Sequence, residues 1–410
     1  MQKPNPLTGF FLSYCCLILI CFVGCFLFYP SAFNSIENES VFSYAVSITS
    51  LTHTNISLVT NSNIGLTLFS LFITQAGGIL ILSYLLFYYW QLFGSEAEKE
   101  NVLSKAFTVT IVVSLIAEVG LFLFFMYGIP MEITNDNLNN KVLAALSLSI
   151  NSFNNAGFSW RSLVIEDGFM SQNFILQIGV IGGSVLGSLG IYVIYDLLSP
   201  EKLRERLNDP SMDWSFMTKV SLFGATFILI SGTISYYLIE SNQLLKEANI
   251  VESVFASIYE MCSSRGFGFS LFQNQYYGST NYLRNAVSIF GGGPFSTTGG
   301  ITVLIFTGFI LIFYKKGQRS DNLKTAIALA KNLLYYHLIG FIILYISMLL
   351  TGAELPWNII FTNQIAAFTN TSIHIISSNN MENLIQTITV IIGRVGFIIP
   401  CFLTLRSLNS

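Results

Sequence analysis

Charge is what this chain has least of. Only 10% of its 410 residues are Asp, Glu, Lys or Arg, against about a quarter in a soluble globular chain. That deficit excludes an ordinary water-soluble protein of this length. Histidine is scarce as well. His53, His337 and His374 lie in separate segments with no metal or nucleophile pattern around them, so an enzyme built on histidine and Glu118 has little to work with. The six cysteines (Cys15, Cys16, Cys21, Cys25, Cys262 and Cys401) show neither metal spacing nor a disulfide framework. A cysteine in an apolar helix is usually just a small apolar residue.

Hydrophobic residues supply 52% of the chain. Phe10 to Tyr29 carries no charge and is about as long as a helix that crosses a bilayer. Leu66 to Phe93, Ala106 to Ile129, Asn173 to Leu198, Val220 to Ile239, Ile289 to Tyr314, Leu333 to Leu350 and Leu384 to Leu405 read the same way, giving eight expected spans. The first run is too long for a signal core and lacks a clear cleavage site, so it is expected to remain as a span. Basic residues cluster in the connections after spans two, four and six, among them Lys99, Lys105, Lys202, Arg204, Arg206, Lys315, Lys316 and Arg319. Basic loops stay in the cytoplasm, so both termini are expected to face it.

One pattern recurs four times: an apolar run, a short polar segment ending in a small-residue turn, and another apolar run. The turns are Thr52 to Asn55, Asn154 to Phe158, Arg265 to Phe269 and Thr369 to Ser372. From Asn55 to Gly157, Gly268 and Ser372 the steps are 102, 111 and 104 residues. Each turn follows a segment too short to cross: Ser40 to Leu51, Val142 to Phe153, Ile250 to Cys262 and Trp357 to Phe368. At roughly 12 residues these suit re-entrant half-helices. Irregular backbone at that depth is tolerated only where it is buried in protein or lines water. A half-helix dipping from outside aims its partly negative C-terminus at the membrane centre. Carbonyls of the returning turn can then replace a cation's hydration shell. The expected fold is an all-α integral membrane protein. Four helix–pore loop–helix units, residues 1–95, 96–205, 206–320 and 321–410, surround one central pore in a pseudo-four-fold arrangement. A glycine in one turn often only closes it. Glycines at matched positions point instead to a backbone whose successive carbonyls face the same way.

Four further features stand out. Gly291 to Pro294 reads Gly-Gly-Gly-Pro inside an apolar run, which breaks a helix. Arg394 is the only charge in the last span. It faces a water-filled path or an acidic partner, or it snorkels to an interface from half-way along its span. Glu118 in the third span either pairs with a cation, a proton or a helix-end donor, or is a protonated, hydrogen-bonded acid. Gly179, Gly183 and Gly187 form a stripe suited to close helix packing.

Ser149 to Ser159, with Asn154-Asn155-Ala156-Gly157-Phe158, resembles the second pore loop of the Trk/Ktr/HKT potassium transporter superfamily. Tyr259 to Phe269 is similar to the third loop. Gly291 to Ile301 is similar to the glycine-rich stretch of the third unit, and Gly393-Arg394-Val395-Gly396 to the signature of the final helix. Leu189-Gly190 through Tyr195-Asp196-Leu197 and Phe72 to Gly78 also match in order. The resemblance implies a selectivity filter at Thr54, Asn55, Asn155, Ala156, Gly157, Gly266, Phe267, Gly268, Thr371 and Ser372, holding K+ through backbone carbonyls. It implies a gating loop at Gly291, Gly292, Gly293, Gly299 and Gly300, with Arg394 as an electrostatic barrier beneath the filter. It further implies a channel-like potassium uptake protein of the bacterial plasma membrane, not an enzyme, with no covalent cofactor and no nucleic-acid partner. A homodimer is expected, with a cytosolic nucleotide-binding regulatory subunit docking at Ser199 to Trp214 or Lys315 to Lys331.

The sequence departs from that family in two loops. Asn55 and Ser372 align where the family has glycine, and Thr302 stands where a lysine often follows the glycine-rich stretch. In plant members a serine at the first-loop position accompanies sodium preference. Three functions therefore stay open: potassium uptake, a sodium-preferring or poorly selective cation transporter, and a non-conducting scaffold of the same fold. His53 and His374 are polar loop residues or pH-sensitive vestibule groups.

Overall fold

The computed structural model describes residues 6–28, 38–52, 64–94, 98, 101–131, 137–157, 173–209, 213–246, 248–267, 271, 278–298, 304, 321–350, 356–371 and 380–409. All regular structure among them is helical. In chain order the helices are α1 (Pro6–Phe28), α2 (Asn38–Thr49), α3 (Ile64–Phe93), α4 (Val102–Gly128), α5 (Leu138–Asn154), α6 (Phe174–Leu189), α7 (Ile191–Leu198) and α8 (Pro200–Asn208). There follow α9 (Phe216–Glu240), α10 (Ile250–Arg265), α11 (Gly278–Phe290), α12 (Asp321–Leu349), α13 (Trp357–Thr369), α14 (Asn380–Val395) and α15 (Ile398–Asn409).

Among the described residues six helical stretches are long and apolar enough to cross a membrane: α1, α3, α4, α9, α12 and the joined stretch of α14 and α15. Their outward faces are hydrocarbon. Ile116, Val119 and Leu123 on α4 and Phe223, Phe227 and Ile234 on α9 are exposed. The inward face of α9 carries small and polar residues such as Ser221, Gly224, Ala225 and Gly232 among its apolar ones. That inversion is what a lipid solvent demands, because small residues let helices approach where hydrophobicity gives no drive. The chain is a multi-pass membrane protein.

Three of the eight expected spans are not continuous helices; the last is interrupted only at 396–397, between α14 and α15. The fourth is broken at Gly190 into α6 and α7, which bend by 95°. Gly190 adopts φ 90, ψ 149, and a Cβ there would lie 2.7 Å from the Phe295 carbonyl oxygen. Only glycine tolerates both the dihedral and the contact. The sixth expected span begins as α11, stops at Phe290 and continues as buried irregular backbone over 291–298. Most of the remainder lies outside the described residues.

The four short segments are helices, α2, α5, α10 and α13, and two of them carry a side-chain cap at their start. Asn249 and Glu252 form a reciprocal capping box at α10 (3.0 and 3.2 Å), and the Asn137 side chain accepts from Asn139 N–H at 2.9 Å at α5. Each packs inside a triangle with the helices before and after it: α1–α2–α3, α4–α5–α6, α9–α10–α11 and α12–α13–α14. The triangles then join in order. The last helix of each packs on the short helix of the next, α3 on α5, α6 on α10, α11 on α13, and α14 returns to α2. The contacts close into a ring.

Close approach inside each triangle depends on glycine. A Cβ on Gly187 would lie 1.7 Å from the Phe153 carbonyl oxygen, and one on Gly393 would lie 2.1 Å from that of Phe368. Gly393→Ala should therefore destabilise the fold by roughly 1–3 kcal/mol. Gly120→Ala, at a position with nothing within 4 Å, should be neutral or stabilising by up to about 1 kcal/mol. Thermal unfolding of the purified variants checks the contrast.

Candidate functional site

Three short helices end in the same turn. Thr52 N–H donates to Ser47 O (2.9 Å), Ala156 N–H to Asn151 O (2.9 Å) and Thr371 N–H to Ala366 O (3.0 Å). One residue earlier, Leu51, Asn155 and Asn370 donate to Ile48, Ser152 and Ala367 carbonyls at 3.2, 3.4 and 3.3 Å. This double bond pattern is a Schellman cap, and its central residue must be left-handed. Leu51, Asn155 and Asn370 have φ of 58, 53 and 54. Asparagine adopts that conformation readily and leucine does not. Leu51 holds it while wholly buried, so packing offsets the local cost. The third helix departs from this form. Gly266 N–H donates to Ser263 O at 3.2 Å, but its φ of −161 is extended.

The turns meet. Thr52 and Asn370 side chains are 2.9 Å apart, joining the first turn to the fourth. With the Asn370 amide oxygen accepting from Arg394 N–H at 3.0 Å, its nitrogen donates to Val390 O at 3.2 Å and to Thr52 Oγ1 at 2.9 Å. On the other side a Cβ on Gly266 would lie 2.6 Å from Asn155 Oδ1, so the second and third turns are in contact.

The irregular segment 291–298 is laced to these turns. Asn155 Nδ2 donates to Thr297 Oγ1 (3.0 Å) and Ser184 O (3.3 Å), while its Oδ1 accepts from Ser184 Oγ at 2.6 Å. Thr297 Oγ1 donates to Gly187 O at 3.2 Å, and Gly293 N–H donates to Ser188 O at 3.0 Å. The Arg394 guanidinium donates to the Thr297 carbonyl. Arg394 is buried, and its Nε and Nη2 have no partner among the described residues. Gly291, Gly292 and Gly293 are buried in this segment.

Phe295 is the segment's apolar centre. It is left-handed at φ 58 and 1% exposed. Its ring centroid lies 4.8 Å from that of Phe397, 5.6 Å from Tyr89, 5.7 Å from Tyr192 and 6.2 Å from Phe93. Those partners come from α3, α7 and the α14–α15 joint, so one ring gathers aromatic side chains from three separate parts of the chain.

Of the expected filter residues, Asn155, Ala156, Gly157, Gly266, Phe267 and Thr371 sit at or just after these turns, and all are buried. The Phe267 ring turns away into a core, against Tyr259 at 5.5 Å, which leaves backbone as what the third turn presents. Thr54, Asn55, Gly268, Ser372, Gly299, Gly300, His53 and His374 lie outside the described residues. By capping bond Thr52 corresponds to Ala156 and Thr371, whereas the resemblance aligns Thr54 with them. Counted from the cap, Leu51 to Asn155, Gly266 and Asn370, the steps are 104, 111 and 104 residues. Two residues past the cap the sequence then has His53, Gly157, Gly268 and Ser372. Thr52, Asn370, Phe295 and Thr297 were not foreseen as site residues.

No family model and no curated protein matches the sequence. Among solved structures, the crystal structure of the potassium transporter TrkH from Vibrio parahaemolyticus superposes on 100% of this chain and 86% of its own, with a TM-score of 0.73 at 12% identity. This is a Trk-like fold. At that identity the likeness speaks for architecture alone.

Asn155→Ala should lose the left-handed preference and the anchors to Ser184 and Thr297 together. A fall in stability of about 1–3 kcal/mol is expected, read as a lower thermal midpoint.

Proposed function

We propose that this protein is a channel-like conductor of monovalent cations, with potassium the leading ion. One observation carries the reading: short helices with matching ends, arranged in a closed ring, whose terminal turns meet two by two. On this proposal the C-termini of the four short helices bring partial negative charge together, and four turns of backbone carbonyl take over a cation's hydration shell. The TrkH structure is that of a potassium transporter, and sharing its fold favours transport over catalysis. On this proposal the units formed by residues 1–95, 96–205, 206–320 and 321–410 surround the pathway. K+ or Na+ is held by backbone at the level of Thr52, Ala156, Phe267 and Thr371 and the residues that follow. Arg394 sets a positive barrier below, because a charge hung on the Thr297 carbonyl repels a passing cation. Phe295 holds the 291–298 segment across the path.

A sodium-preferring or poorly selective conductor is the second reading. The capping register favours it, since two of the four positions that follow the turns carry His53 and Ser372 in place of glycine. A side chain there makes a uniform ring of carbonyls harder to hold. Plasma-membrane placement with cytoplasmic termini, homodimer formation and a cytosolic nucleotide-binding partner belong to the same proposal.

Reconstitution into vesicles with potassium, rubidium or sodium gradients tests it. Potassium and rubidium flux above sodium supports the lead reading and equal flux the second. No flux from folded protein supports a non-conducting scaffold. Arg394→Ala should raise flux several-fold, as should Phe295→Ala. Unchanged flux in both would remove these residues from the pathway.

A further inference from the structure

Glu118 takes no part in the contacts between the turns, yet it is 6% exposed in the middle of α4. Its Oε1 accepts from Asn154 Nδ2 at 3.1 Å. The same nitrogen donates to Gln75 Oε1 at 2.9 Å and to Ile150 O at 3.0 Å. Asn154 is the last residue of α5, immediately before the left-handed Asn155. Gln75 belongs to α3 and Glu118 to α4, so the amide is gripped at the seam between the first and second triangles. Gly78 makes room for it, since a Cβ there would lie 1.9 Å from Asn154 Oδ1. Neighbouring Asn155 points the other way, to Ser184 and Thr297. Two consecutive side chains thus hold the second turn from opposite sides.

The same arrangement exists one unit earlier. Ser50, immediately before the left-handed Leu51, hydrogen-bonds to the Tyr14 hydroxyl on α1. Tyr14 and Glu118 are 104 residues apart, the step that also separates Leu51 from Asn155. Continuing by the cap spacing of 111 and 104 reaches Leu229 and Leu333, which offer no side-chain hydrogen bond. At this position two of the four first helices place a polar tether to the cap, and the other two place leucine.

We propose that Glu118 is a positioning residue for the second turn, acting through Asn154 as Tyr14 acts through Ser50 on the first. It supplies an acceptor oxygen where water cannot reach and so fixes the helix end from which the turn departs. Its role in ion selection rests on the conduction reading above; its role in holding the turn does not.

Hydrogen exchange on the full-length protein in lipid nanodiscs, paired with vesicle flux, tests this. Glu118→Ala should speed amide exchange across 151–157 at least several-fold while leaving 366–371 unchanged. Glu118→Gln keeps an acceptor oxygen and should stay near the wild-type rate. Tyr14→Phe should speed exchange across 47–52 instead. Gln75→Leu, which leaves Glu118 in place, should give a weaker form of the Glu118→Ala effect and stands in if that variant does not fold. In flux, Glu118→Ala should shift the potassium-to-sodium ratio and Glu118→Gln should restore it. Unchanged exchange across 151–157 in Glu118→Ala, or loosening spread evenly along the chain, would overturn the proposal. A wild-type protein that moves no ion would sink the conduction reading, while the exchange pattern still decides the tether.

Discussion

A helix that stops inside a membrane leaves its last carbonyls where no water can satisfy them. This structure is organised around that constraint. Three of the short helices answer it with the same cap, in which the chain turns left-handed and folds two N–H groups back onto the helix end. The cap needs the following helix to come very close, and Gly187 and Gly393 permit it by bringing bare backbone against the Phe153 and Phe368 carbonyls. Take away the close approach and the turns lose the walls that keep them dry and fixed.

Ring closure follows from the same geometry. Each closing helix packs on its own short helix and also on the next one, so every triangle is braced by its neighbours. The irregular segment 291–298 is where the ring is least regular and most heavily tied. Asn155 and Gly187 hold Thr297 from the second unit, Arg394 holds it from the fourth, and Phe295 is packed by aromatic rings from three sides. A left-handed phenylalanine and a buried arginine with two nitrogens unpartnered among the described residues both cost stability. Their presence side by side is the kind of local conflict that marks a functional position.

The membrane class, the short helices and the helix break at the glycine-rich stretch were all legible in the sequence. Hydropathy and glycine report them directly, because burial in lipid leaves little freedom of composition. The span from Asn173 to Leu198 read as one helix, because hydropathy is blind to direction and a single Gly190 carries the 95° bend. The cap at Leu51 was also out of reach by resemblance to glycine-containing loops. Leu51 does the work of Asn155 and Asn370 there, and nothing in leucine's chemistry signals a left-handed turn. Only the 104-residue step shared by the caps marks it. Phe295 and Thr297 lie inside the glycine-rich stretch, yet nothing singled them out from its glycines, since their importance comes from partners far away in the chain.

The central claim is that the four turns together hold a dehydrated monovalent cation. Anomalous scattering from crystals grown in rubidium tests it most directly. The account predicts a rubidium peak between the backbone carbonyls that follow Leu51, Asn155, Gly266 and Asn370, above the Arg394 guanidinium. Saturating rubidium with no peak there, and carbonyls pointing away from one another, would contradict it.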